Sequence, residues 1–201
     1  MPALTTFAVV PIGPNFYVTD VNVGLLVFLA MSSLGVYAIT LAGWSSNNKY
    51  SLLGGMRASA QMISYELALG LSTIGVLLLT GSLSLIDIVH AQQGAYHLGP
   101  VPVPRWFAFT QPVAFAIFVV CAFAETNRAP FDLPEGESEL VGGFHTEYAS
   151  MKWAMFFLGE YMNMITISAI TVTLFLGGWS GPWLPESLQF VWFFVKLFAM
   201  I

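Results

Sequence analysis

Charge is what this sequence has least of. Asp, Glu, Lys and Arg make up 8% of its 201 residues, and Lys and Arg together number six. So few cations exclude a nucleic-acid surface, which needs them in clusters. A hydrophobic content of 57% and a mean hydropathy of +0.76 exclude an ordinary soluble domain. Cysteine is almost absent. Cys121 stands alone inside an apolar run, so there is no internal disulfide and no Cys-based metal site. A Gly-rich phosphate loop and a Cys/His cluster are missing too, which removes nucleotide binding and zinc chemistry. Nothing in the chain can itself carry electrons. No basic segment precedes the first apolar stretch, so residues 1–12 do not form a cleavable signal peptide. What remains is an all-α, polytopic membrane protein.

The apolar runs predict four full spans and two partial ones in a single membrane domain, since about 20 helical residues cross a hydrocarbon core. Residues 1–12, broken by Pro2 and Pro11, are too short to cross and read as the end of a span. Residues 21–44 carry no charge and end on an interfacial Trp. After a loop over Ser45–Gly55, a second span at 57–81 holds one ionisable residue, Glu66. The polar connection Ser82–Arg105 carries His90 and His97, with a short interfacial helix expected over Leu83–Gln93. A third span at 106–124 has Pro112 as a kink that neighbouring helices support. The fourth, at 153–178, has Glu160 as its single charge, and 187–201 begins a span that stops partway. Both ends of the chain therefore look truncated.

The loop 125–152 holds six of the eleven acidic residues: Glu125, Asp132, Glu135, Glu137, Glu139 and Glu147. Against Arg128 and Lys152 alone, it is a poor surface for anionic headgroups and suits a protein partner or a polar cavity. Asp132 can cap a helix beginning near Pro134, with Glu135 and Glu137 in its first turn. Helix-start chemistry leaves Glu139 unexplained, because it follows Glu135 by one turn and repels it. Glu147 is unexplained as well. Arg128 is the natural partner of Glu125 or Asp132, and His145 stands alone as a structural histidine. If the loop faces the cytoplasm, Lys49, Arg57, Arg128 and Lys152 lie on that side against Arg105, in keeping with the positive-inside bias.

The carboxylates inside the spans share a depth. Glu66 follows Arg57 by nine residues and Glu160 follows Lys152 by eight, so both lie roughly 12–14 Å below the loop face. Glu125 closes the third span at the same face. Charges within a membrane are costly and turn toward a protein interior or a wet cavity. Desolvation and mutual repulsion push such groups toward proton exchange near neutrality. Met151, Met155, Met162 and Met164, with Phe156, Phe157 and Tyr161, gather at the start of the fourth span. They suit a cavity for a flexible apolar ligand, but ordinary helix packing accounts for them more simply. Gly70, Ser72 and Gly75 suit close helix contacts in the second span.

The segment ETNRAPFDLPEGESELVGGFHTEY resembles the most characteristic stretch of a known family. This family comprises the quinone-site membrane subunits of proton-pumping NADH:quinone oxidoreductase, respiratory complex I. GWSSNNKYSLLGGMRASAQMISYEL and FFLGEYMNM extend the likeness, which runs along essentially the whole chain. The resemblance implies an eight-span subunit between a peripheral redox arm and proton-pumping membrane subunits. Glu125, Arg128, Asp132, Glu135, Glu137 and Glu139 match the family's quinone chamber and its acidic funnel. Glu147, Glu160 and Glu66 match the acidic path leading into the membrane.

On this resemblance the chain is part of a translocase enzyme and binds no cofactor itself. Quinone is the substrate, and iron–sulfur clusters and FMN sit in partner subunits. The partners are the peripheral quinone-module subunits and the small and antiporter-like membrane subunits. The location is a bacterial inner membrane, with the mitochondrial inner membrane as the alternative. The choice between ubiquinone and menaquinone stays open. The corresponding component of a membrane-bound hydrogenase or formate hydrogenlyase, a stand-alone proton channel and a passive anchor are the competing readings. The unbroken ETNRAPFDLPEGESEL favours the quinone enzyme.

Overall fold

A computed structural model describes residues 2–98, 101–128, 131, 143–181 and 188–201. Its helices are α1 (Pro2–Phe7), α2 (Gly24–Ser45), α3 (Lys49–Thr80), α4 (Leu85–Ala91), α5 (Phe107–Thr110), α6 (Pro112–Glu125), α7 (Met151–Phe175) and α8 (Phe190–Met200). Three of them, α2, α3 and α7, are long and apolar enough to cross a membrane; α6 and α8 are apolar but shorter. The protein is a helical membrane protein.

The α2–α3 hairpin is tighter than its sequence suggests. Instead of a loop over Ser45–Gly55, only residues 46–48 separate the helices, and α3 starts eight residues ahead of Arg57. Ser46 closes α2 by donating its hydroxyl to Gly43 O at 2.7 Å, and the Asn48 side chain caps α3 by accepting from Tyr50 N at 2.9 Å. The Gly54–Gly55 pair therefore lies within α3, where it allows close approach. A Cβ on Gly55 would sit 3.2 Å from Gly43 Cα, and one on Gly54 would sit 2.8 Å from Phe144 N in the 3₁₀ turn Gly143–His145. α3 ends at Gly81, whose left-handed φ of 69° lets its N–H return to Leu77 O.

The third apolar run is broken rather than kinked. Gln111, at φ −131° and ψ 62°, separates α5 from α6, because the ring of Pro112 excludes helical geometry from the residue before it. Gln111 then donates Nε2 to Gly75 O of α3 at 2.8 Å. A Cβ on Gly75 would meet Gln111 Oε1 at 2.6 Å, which accounts for that glycine. Gly70 has open space where a Cβ would go, so close packing explains Gly75 and not Gly70.

The connection from α3 to α5 contains, after α4, a two-stranded antiparallel hairpin (β1 Ala95–Leu98, β2 Val101–Pro104) that hydropathy alone does not signal. Beside it a polar knot ties the bundle together. Gln92 donates Nε2 to Ile88 O and Thr173 O, while its Oε1 accepts from Phe107 N and Gly177 N, so its amide is fully used. Lys196, in the middle of α8, is buried and gives its three donors to Leu176 O, Gly178 O and Ser180 O at 2.6, 3.0 and 2.6 Å. These carbonyls lie at and just beyond the C-terminus of α7, where a cation is favoured. Phe28, Leu69, Phe118, Ile170, Phe175 and Phe193 form the core between these polar ends.

Candidate functional site

α2 carries adjacent serines, Ser32 and Ser33, in an otherwise apolar run. Neighbours in a helix are set about 100° apart, so the pair can address two other helices at once. Ser32 Oγ donates to Glu125 Oε1, at the end of α6, at 2.7 Å, and lies 3.5 Å from Glu66 Oε1 on α3. Ser33 Oγ makes a short contact with that same Glu66 oxygen and also reaches Leu29 O at 3.0 Å. Two carboxylates from different helices are thereby joined through one pair of hydroxyls. Glu66 is half-buried. Glu125 is 4% exposed, and its Oε2 has no hydrogen-bond partner among the described residues. With one neutral donor among the described residues and the electronegative end of α6 beside it, this carboxyl is costly to hold charged.

Glu125 and Ser32 also line a cavity of about 290 Å³, together with Glu160, His145, Asn163, Asn127 and Thr6. Apart from Thr126 the rest of the wall is apolar, with Phe28, Met31, Met62, Phe144, Met155, Phe156 and Phe157 among its residues. The volume is near the lower end of the range for ligand pockets, about 300–1,000 Å³, and an apolar wall with a few converging polar groups is their usual make-up. Met155 and Phe156, equally readable as plain helix packing, thus face a void. His145 sits edge-on to Phe144 with ring centroids 4.9 Å apart, and the described residues hold no group able to bind a metal.

The remaining predicted residues divide. The sequence pairs Arg128 with Glu125 or Asp132. Asp132 lies outside the described residues, and among those described the Arg128 guanidinium lies over the Tyr161 ring of α7, 5.0 Å from the centroid. Glu147 is exposed and stands apart from the cavity lining, accepting from Asn48 Nδ2 at 2.6 Å. Tyr148 next to it bonds Ala42 O and Ser45 Oγ, which fastens the end of the acidic loop to the α2–α3 turn. Asp132, Glu135, Glu137 and Glu139 lie outside the described residues, as does the helix expected near Pro134.

Ser32, Ser33 and Gln61 belong to the site without standing out in the sequence. Gln61, buried on α3, donates Nε2 to Ala124 O at 3.0 Å and Phe131 O at 2.9 Å, holding the end of α6 and the start of the loop. Their only signal is a pair of adjacent hydroxyls among apolar neighbours and an amide five residues ahead of Glu66 on the same helix.

A family model described as NADH dehydrogenase matches residues 1–201. The chain is 56% identical to an H-type NADH-quinone oxidoreductase subunit of Koribacter versatilis, over 94% of this chain and 54% of that protein. It is 52% identical to an H-type NADH-quinone oxidoreductase subunit of Geobacter metallireducens, over 100% of this chain and 61% of the relative. It is also 53% identical to the H-type NADH-quinone oxidoreductase subunit of Rhodospirillum centenum, over 98% and 57%. The chain thus spans a little over half the length of the curated relatives it matches. A match over every residue, joined to identities above one half, establishes that the chain belongs to the NADH dehydrogenase family.

Proposed function

We infer that this chain is part of a membrane subunit of an NADH:quinone oxidoreductase, in which it helps to form the quinone chamber and the acidic path from that chamber into the membrane. The observation that carries the reading is the joining of Glu125 to Glu66 through α2 serines, with Glu125 and Glu160 on one cavity wall. Carboxyls tolerated in a membrane because they share a polar interior can exchange protons with one another and with a bound redox ligand. Two-electron reduction of quinone consumes two protons. A change of charge at the chamber alters the protonation of the nearest carboxyls and, through them, of the next.

In this reading Arg128 and the acids of the loop (Glu125, Asp132, Glu135, Glu137 and Glu139) border the chamber. Glu147, Glu160 and Glu66 continue the path. Electrons arrive from iron–sulfur clusters and FMN in partner subunits, and neighbouring antiporter-like subunits use the resulting charge movement. The acidic loop faces the cytoplasm of a bacterial inner membrane.

Glu66→Gln and Glu160→Gln test the path in the protein assembled with its partner subunits. Each substitution removes a proton site while keeping the side chain's size. Quinone reduction and proton translocation should fall together by about tenfold or more. Unchanged pumping and turnover would remove that residue from the path.

A further inference from the structure

We propose that Ser32 is a proton relay between Glu125 and Glu66, and that Ser33 positions the receiving oxygen. This rests on the reading above, in which those two carboxyls exchange protons.

Serines in membrane helices commonly return their hydroxyl to the carbonyl one turn back. Ser33 follows that habit in part, through Leu29 O, as do Thr40, Ser59 and Ser64 through Val36, Gly55 and Ala60. Ser32 does not. Among the described residues its hydroxyl bonds only to two carboxyl oxygens, at 2.7 Å on Glu125 and 3.5 Å on Glu66. A hydroxyl has one proton to donate and two lone pairs to accept with. It can therefore serve one carboxyl at a time and change partner by turning about its own C–O bond. Glu66 Oε1 is held by Ser33 on the same side, so the receiving atom is fixed before any proton arrives.

The other end of the relay opens on the cavity. Glu125 is buried, its Oε2 is without a hydrogen-bond partner among the described residues, and both it and Ser32 contribute to the cavity wall. A proton taken from the cavity by Glu125 reaches Oε1 when the carboxyl turns over. In the transfer step the Glu125 O–H bond breaks and its proton bonds to Ser32 Oγ. The proton originally on Ser32 Oγ passes to Glu66 Oε1. Glu125 is left as carboxylate, Glu66 as carboxylic acid and Ser32 as an unchanged hydroxyl. No electrons move. The new Ser32 hydroxyl then points at Glu125, the orientation of the 2.7 Å bond, and its rotation toward Glu66 resets the relay.

The test uses the complete complex in sealed vesicles, reading quinone reduction and proton translocation. Electron transfer from the donor to a soluble artificial acceptor controls for assembly. Ser32→Ala should lower coupled turnover by roughly ten- to a hundredfold, the effect of losing one hydrogen bond to a charged group. Ser32→Thr, which keeps the hydroxyl, should restore most of it and retain the rate loss in D₂O. Ser32→Ala pumping at the normal rate would overturn the relay, and so would Ser32→Thr proving as defective as Ser32→Ala. If the alanine variant fails to assemble, the nearly isosteric Ser32→Cys decides, and normal pumping with that weak donor counts against the proposal. Glu66→Gln, measured in parallel, separates the two layers. Its normal activity would sink the carboxylate path itself, whereas its loss alongside an active Ser32→Ala would sink the relay alone.

Discussion

At the scale of single residues, two ionisable groups inside the bundle are tolerated for different reasons. Glu125 has one neutral donor among the described residues and a cavity beside it. Lys196 has all three of its donors used by carbonyls, and its Nζ lies 4.6 Å from the centre of the Trp106 ring. A satisfied cation at a helix end is a structural clasp, and its removal takes that donor from three carbonyls at once. Lys196→Met should therefore destabilise the protein by about 2 kcal/mol or more. Lys196→Arg should recover little of this, because a planar fork does not fit three converging carbonyls. Cys121, free and buried, supplies the measurement: a thiol-reactive dye labels it on unfolding, and the labelling midpoint should drop in both variants. The carboxyl positions are legible from the sequence because each is a lone charge in an apolar run. The serines are not. A hydroxyl in such a run is ordinarily spent on its own helix, and spacing along one helix does not say which other helices face it.

At the scale of elements, hydropathy marks where helices run, while glycines and prolines decide how closely they meet. Gly54 and Gly70 lie on the same helix and look alike in sequence. A Cβ on Gly54 would fall 2.8 Å from Gly143 C and Phe144 N, which are backbone atoms that cannot step aside, whereas one on Gly70 would meet nothing within 4 Å. Gly54→Ala should thus cost about 1–3 kcal/mol by overpacking and push Phe144 and His145 from the cavity wall. Gly70→Ala should be neutral or stabilising by up to about 1 kcal/mol through helix propensity. Paired thermal unfolding curves in detergent check both, and equal effects would contradict the packing described. Parts of the fold stay hidden in the sequence for the same physical reason. Pro112 is visible as a perturbation, but whether it kinks or breaks the helix depends on Gln111 finding Gly75 O on another helix. The β1–β2 hairpin is obscured because its second strand contains Pro102 and Pro104, which weaken a strand signal.

At the scale of the whole molecule, the lengths of the helices and of the membrane have to be reconciled. α3 has 32 residues and is about 48 Å long, well beyond a hydrocarbon core of about 30 Å. α6 has 14 residues, about 21 Å, and falls short of it. The excess of α3 is accounted for at its start. The turns from Lys49 to Arg57 carry both basic residues of the helix, and Gly54 there meets the 3₁₀ turn of the acidic loop. These turns are therefore expected to stand outside the hydrocarbon, on the side of Glu147, with Arg57 at the membrane surface. Leu53 and Leu71 are both exposed on the isolated protein, at 52% and 68%, so only the bilayer can distinguish them. In sealed vesicles, Leu53→Cys should react with a membrane-impermeant maleimide from the same side as Glu147→Cys. Leu71→Cys should be protected from both sides, and the buried Cys121 should contribute little background. Labelling of Leu71→Cys, or of Leu53→Cys from the side opposite Glu147→Cys, would shift the membrane along α3. Glu66 and its serine bridge would then lie at a different depth, and the route from the cavity would no longer descend from the loop face.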